Sequence, residues 1–436
     1  MHWLLIGYMF LFIHRPFEVW PALGDLRVER VYMCATLAVW VLYPGKRWLS
    51  NPMHAAYAAF AAAVLVCWVM SPWMERSQPI VEDYFKVVVF YILLVTTVKD
   101  EQSLKLVVAG FLAVMGVYLA HSFREYLSGR HTYRMGIARM IGVDKTLGDP
   151  NSFGASIVFA LPFIAALWRS GLGGKWGRYA LVSYTGLSGL CILLTGSRSS
   201  LLGLGLWAAL LVFRGRNRWA WMVALALGAP AVFVALPEEL QTRFETIIDP
   251  SVGPKEAQVS GEGRMRGLEL GFRLWERNPL SGVGPGAWRP ATRSKIESHN
   301  LYGQLVGELG AFGLVAFLAI LAGFWLNLRR IAAIRKEHPE WSNDLVFQVA
   351  SAVGMGVFLL LFMGNFGHNL FRFSWLWYGG FLIIARYCIE ARVRELEYLP
   401  PEDVWEEEAD ADPDQSDEPP DGWTEHPGHA PAAAAS

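Results

Sequence analysis

The sequence predicts an all-α polytopic membrane protein of about twelve transmembrane helices, with one large loop that carries short amphipathic helices. Three observations predict it. The 436 residues are 53% hydrophobic, include 19 Trp and have a mean hydropathy of +0.29, a profile outside that of ordinary soluble enzymes. Apolar stretches long enough to cross a bilayer recur along the chain. Short basic connections alternate with them, as the orientation of a polytopic protein requires.

The spans are placed near 2–13, 31–44, 54–70, 86–98, 104–120, 151–168, 178–195, 199–213, 219–236, 300–327, 345–364 and 373–389. The first carries neither a basic start nor a small-residue cleavage site, and is read as a retained span. "GKRW", "RSGLGGKWGR", "RGRNR" and "RRIAAIRKEH" fall on alternate connections, which puts them on the cytoplasmic side together with both termini. Three connections face the other side: residues 121–149, the turn around Arg198, and a long loop over 237–298. A loop of that length with helical patterning is read as functional.

Charge is unevenly distributed. The formal net charge is -1, but about twelve carboxylates and no Lys or Arg follow residue 398, so the body carries about +11. The acidic, proline-rich stretch 399–436 is expected to be a disordered cytoplasmic tail beyond a transmembrane domain over 1–398. On the outer side arginine outnumbers lysine, and a planar bidentate cation suits phosphate oxygens. Cys34, Cys67, Cys191 and Cys388 are far apart in apolar segments, and read as small buried hydrophobes.

Arg198, in "LLTGSRSSLLG", lies between two apolar runs with no acidic neighbour. An arginine there needs an anionic partner or a nearby aqueous surface. "GSRSS" reads as a tight turn, and Ser199 and Ser200 open the next helix, whose free N–H groups favour an anion. The bland alternative is a guanidinium that snorkels to headgroups. His299, in "KIESHNLYGQLVGELG", stands where the long loop enters a span and can take a proton near neutral pH; the alternative is a structural hydrogen bond. Glu297 either orients it or is solvated, and Gly303, Gly307 and Gly310 allow close packing.

In "GEGRMRGLELGFRLWERNPLSGVGPGAW", helical spacing puts Met265, Leu268, Phe272 and Trp275 on one face. Arg266, Arg273 and Arg277 fall on the other, and Arg264 borders the apolar one. "GVGPGA" lacks the strand–helix–strand context of a dinucleotide site and reads as a sharp bend. Asp149 and Pro150 form a helix start, and His368 reads as interfacial packing beside aromatics. Zinc-protease, nucleophile-elbow and Walker patterns do not occur in the sequence.

Together, "GDPNSFGA", "LLTGSRSSLLG", the 261–288 segment and "SHNLYGQLVGELGAFGLVAFL" resemble the O-antigen ligase and polymerase superfamily of bacterial envelope glycosyltransferases, over roughly residues 100–385. The resemblance implies transfer of a glycan from an undecaprenyl-diphosphate carrier to an acceptor hydroxyl, at the periplasmic face of the inner membrane and without a cofactor. It gives Arg198, Arg264 and His299 catalytic roles, with Arg139, Arg266, Asn300, Tyr302, Ser197 and Ser199 binding substrate and no metal ligands. The tryptophan that commonly follows the loop arginine by three or four residues is absent here, where Gly267 and Leu268 stand. Implied partners are the lipid-linked donor, a lipid or polysaccharide acceptor such as lipid A-core, and membrane lipids; nucleic acid is not among them. Polymerases and protein O-glycosylation ligases of the same superfamily would use the same residues. A transporter of lipid-linked glycan is the rival from another class, and it favours charged residues along both leaflets and repeated halves, whereas these polar groups gather on one side.

Overall fold

Each of the twelve apolar segments is helical in the computed structural model, which describes residues 1–398 except 135, 147, 215–217, 250–254 and 295–296, and omits the side chains of 214, 221, 255–262 and 398. The expected tail over 399–436 lies outside the described residues. Among the described residues, four helices are long and apolar enough to cross a membrane: Glu101–Leu127, Pro150–Arg169, Leu301–Glu337 and Leu345–Gly364. Shorter apolar helices run over Met53–Val69, Arg198–Phe213 and Arg218–Val234. The protein is an all-α membrane protein by this measure, and contacts divide it into the units Met1–Glu390 and Ala391–Ser436.

Helix boundaries follow local chemistry. Asp100 caps Glu101–Leu127 by accepting the Ser103 N–H, and Asp149 caps Pro150–Ala160 by accepting from Asn151 and Ser152, with Pro150 where its missing N–H costs nothing. Pro162 divides the expected 151–168 span into Pro150–Ala160 and Pro162–Arg169. Gly196, at φ +55, ends Gly174–Thr195 in the left-handed conformation.

The first unit is centred on Trp377, which is fully buried and packs its ring against Phe90 at 4.5 Å and Phe373 at 4.4 Å. Aromatic pairs at such spacings add about 0.5–1.5 kcal/mol each to the burial of their area. They join the helices Met74–Thr97 and Ser374–Tyr398 beneath the polar loops.

Two features depart from the sequence reading. Residues 131–140 form an antiparallel hairpin, with His131 opposite Met140 and Thr132 opposite Arg139. Gly136, at φ +79, supplies its turn, and the alternate residues Ile137 and Arg139 are both buried. The loop helix Lys255–Arg277 docks on the protein through small residues that the sequence reading did not single out, and its apolar stripe is left outward. Met265 is 69% and Phe272 44% exposed, whereas Gly267, Gly271 and Leu274 are buried. The cause is backbone approach: Gly271 meets the backbone of Gly303, and a Cβ at Gly303 would stand 2.5 Å from the Gly267 carbonyl oxygen. Contact between two glycine faces outweighs the apolar stripe because neither backbone carries a side chain to hold the helices apart.

The helix Leu301–Glu337 is interrupted at Gly310, at φ +56 and ψ −149. The segment 279–284 repairs the gap. Val283 and Gly284 donate to the carbonyls of Gly307 and Glu308 at 2.9 Å, while Ala311 and Phe312 donate to those of Pro279 and Leu280 at 2.8 and 3.0 Å. The expected bend is thus a docked plug that completes the broken helical ladder.

Candidate active site

Three guanidinium groups converge on the turn between Gly174–Thr195 and the next helix. Arg139 donates through Nε to the Thr195 carbonyl at 2.7 Å and through Nη2 to Asn151 Oδ1 at 2.9 Å. Arg243, on the helix Glu238–Glu245, donates to the Gly196 carbonyl at 2.5 Å. Arg198 donates to Thr246 Oγ1 at 3.0 Å. Carbonyls at a helix C-terminus attract cations, which explains the first two contacts. Ile137, Leu240 and Phe244 form the apolar packing that brings hairpin and loop helix to this turn.

The serines of the turn hold it together. Ser197 is fully buried; its Oγ accepts the Ser200 N–H at 3.4 Å and the Ser200 hydroxyl at 3.0 Å, and lies 3.2 Å from Ser199 Oγ. Ser197 therefore fixes the helix start and Ser199 faces the cleft described below.

Crowding sets the electrostatics. Burial, then the neighbouring Arg243 and Arg134, lower Arg139 to about 9. Burial, then Arg198 and Arg134, lower Arg243 to about 10. Guanidinium remains protonated in proteins, so this strain is like-charge repulsion in a water-poor place, and a bound polyanion would relieve it.

The loop helix brings Arg264 to the same place. Its guanidinium lies 5.0 Å from the centre of the Phe366 ring, and burial followed by Arg198 lowers it to about 10. Arg266 is exposed. Gly267 abuts the backbone of His299, with a Cβ there 3.6 Å from the His299 nitrogen. His299 is further fixed from below. Asn300 caps Leu301–Glu337 by accepting the Gly303 N–H at 2.9 Å, and the Ser298 hydroxyl donates to the Asn300 carbonyl at 3.0 Å.

His299 opens onto a cleft of about 350 Å³ lined also by Asp149, Asn151, Ser199, Phe366 and His368. The His299 and His368 rings are 5.8 Å apart. For His368 the sequence favours interfacial packing and leaves a second site group as the alternative; the 365–373 loop carries it to His299, a pairing invisible to local sequence. Burial, partly opposed by Asp149 and reinforced by Arg264, holds His299 below the ordinary histidine value. Burial and His299 lower His368 too. A neutral imidazole in a polar cleft is a competent proton acceptor.

Glu297 pairs with Arg289 at 2.6 Å and does not orient His299. Tyr302 donates to the Leu361 carbonyl at 2.9 Å. Of the residues singled out from sequence, Arg198, Arg264, Arg139, Ser199 and His299 gather here, Ser197 and Asn300 support them from behind, and Arg266 and Tyr302 point elsewhere. Sequence reasoning missed Arg243 and Asp149 as site groups. Arg243 had a signal, as one arginine among many in the long loop; Asp149 was legible as a cap alone.

Comparison with curated proteins returned no match. A family model described as O-antigen ligase matches residues 184–318, a segment that begins in the helix before Arg198, contains Arg243, Arg264 and His299, and ends beyond the plugged break at Gly310. The match thus covers three of the four clustered arginines together with His299, and it supports the O-antigen ligase superfamily for this chain.

Proposed function

We propose that the protein is a membrane glycosyltransferase that moves a glycan from an undecaprenyl-diphosphate carrier to an acceptor hydroxyl, at the periplasmic face of a bacterial inner membrane. The convergence of Arg139, Arg198, Arg243 and Arg264 beside one neutral imidazole carries this reading. In the proposed topology the chain crosses twelve times with both termini in the cytoplasm. The acidic 399–436 stretch follows as a tail.

His299 takes the proton of the acceptor hydroxyl as its oxygen bonds to the anomeric carbon. The bond from that carbon to the phosphate oxygen breaks, and the lipid diphosphate leaves with the electron pair. Attack from the face opposite the leaving group inverts the anomeric centre. The arginines stabilise the charge on the departing oxygens, so the mechanism calls for no metal. A positioned base is worth ~10²–10⁴-fold, and preorganised charge in a water-poor cleft supplies more. The acceptor is lipid A-core, a growing polysaccharide or a protein, each compatible with this chemistry.

The test is reconstitution of the full chain with undecaprenyl-diphosphate glycan and candidate acceptors. Arg198→Ala and His299→Ala are expected to abolish transfer while leaving membrane insertion intact. Robust transfer by either variant would defeat the assignment.

A further inference from the structure

A second and larger chamber, with about 280 Å³ open to solvent, adjoins the cleft and shares Ser152 and His368 with it. None of the four clustered arginines lines it; its charged walls are Arg15, Asp83, Glu297, Glu308 and Arg372. Four buried polar atoms of chamber-lining residues have no hydrogen-bond partner among the described residues: Arg15 Nε, Tyr84 Oη, Gln304 Oε1 and Glu308 Oε1. The four residues are 6%, 2%, 6% and 0% exposed. Buried polar groups without partners are rare and costly; these four atoms are closed to water as the side chains stand, so a ligand in the chamber satisfies them through a small side-chain movement.

Their surroundings hold them in place. Arg15 is anchored through its other nitrogens to Glu18 at 2.5 Å and Asp83 at 3.0 Å. Glu308 Oε2 accepts the Gly286 N–H at 2.8 Å and the Gln304 amide at 3.3 Å, so the plug that repairs the helix break also fixes both side chains. Two acceptors and two donors, beside the aromatic rings of Tyr84, Phe371 and Phe373, match hydroxyls and C–H faces, and the volume suits a ligand of a few rings. Three carboxylates on the wall disfavour a diphosphate.

We infer that this chamber binds the saccharide end of the acceptor and delivers its hydroxyl past His368 to His299. The inference rests on the glycosyltransferase reading and deepens it. An inverting displacement brings the acceptor from the face opposite the leaving group, and the chamber meets the cleft at His368, away from the arginine-bearing turn.

The test uses the full chain in proteoliposomes, undecaprenyl-diphosphate glycan as donor and, as acceptor probe, the glycolipid fraction from envelopes of cells deprived of that donor. Tyr84→Phe removes one hydroxyl that has no protein partner, and Gln304→Met removes the unpaired carbonyl. Each is expected to raise the acceptor concentration for half-maximal transfer about fivefold or more, the loss of one good hydrogen bond, with kcat within about twofold. Affinity for undecaprenyl diphosphate and, for Tyr84→Phe, the thermal midpoint are expected to stay unchanged. Unaltered acceptor dependence in Tyr84→Phe overturns the inference while sparing the glycosyltransferase reading, as does a rise confined to the donor KM. Failure of the unsubstituted protein to bind undecaprenyl diphosphate sinks both.

Discussion

Replacing Gly303 with alanine tests whether the contact between the two glycine faces positions the site. The added Cβ would lie 2.5 Å from the Gly267 carbonyl oxygen and 2.9 Å from the Leu268 Cα, where ordinary contact begins at 3.4 Å. Both obstacles are backbone, so no side chain can swing away, and the helices Lys255–Arg277 and Leu301–Glu337 have to part by about 1 Å. Overpacking of this kind costs about 1–3 kcal/mol, against which alanine recovers about 1 kcal/mol of helix propensity. The movement separates Arg264 from His299, and misplacement by 1 Å is worth about 10²-fold in rate. Gly263 is the control: it belongs to the same loop helix, and a Cβ there meets nothing within 4 Å. Thermal unfolding in detergent and transfer kinetics read both variants. Gly303→Ala is expected to lose activity about a hundredfold with a modest drop in midpoint, and Gly263→Ala to match or exceed the unsubstituted stability. Equal behaviour of the two variants would refute the argument that backbone contact sets the site.

Four further outcomes are expected. Because burial holds His299 below the ordinary value of 6.5, the acid limb of kcat/KM should fall below pH 6.5, and removing the nearby Arg264 should move it upward in whatever activity remains; a limb at or above 6.5 in the unsubstituted protein contradicts a buried neutral base. The same shift fixes the sign for stability: the unfolded chain protonates His299 and His368 first, so stability is complete above pH 6.5 and declines as pH falls toward the lower folded values, which a pH series of unfolding midpoints reads. Asn300→Ala should cost about 1 kcal/mol of stability through the lost cap while Asn300→Asp retains it, as thermal unfolding will register; equal midpoints count against the capping role. Chelation should leave transfer intact, and loss of activity restored by magnesium or manganese contradicts a mechanism that relies on arginine.

The helical segments were legible because apolar length and flanking charge are local properties, and the cap at Asp149 follows from residue type and position. Arg198 and His299 were legible for a related reason, since each interrupts an apolar pattern where an interruption requires a cause. What escaped depends on distant partners. The 131–140 hairpin has strands of four residues each, too short for periodicity to declare, and it places Arg139 through Ile137 packing against the Glu238–Glu245 helix. His368 joins His299 across nearly seventy residues of chain. The loop helix is a further case: its apolar stripe was legible from spacing, but the face that docks it, Gly267 and Gly271, is set by Gly303, which stands opposite.

The arginines of the cleft need not act alike, and the geometry separates them. In the proposed reaction the diphosphate is already anionic when the donor binds and gains charge at the bridging oxygen as the anomeric bond breaks. Contacts made equally in both states lower KM alone; contacts that strengthen as charge develops raise kcat. Arg139 has two nitrogens committed to the Thr195 carbonyl and Asn151 Oδ1, and it is not among the charges that shift His299, which suits it to the charge present throughout. Arg264 stacks over Phe366, shifts His299 electrostatically and packs one turn from the Gly267 contact with the His299 backbone, which puts it nearest the reacting bond. Arg264→Ala should therefore lower kcat and kcat/KM together, by about 10²–10³-fold, as removal of a donor at developing charge does. Arg139→Ala should chiefly raise the donor KM and weaken binding of undecaprenyl diphosphate. Steady-state kinetics with varied donor distinguish the two, and the reverse assignment of effects would move the reacting bond from His299 toward the hairpin.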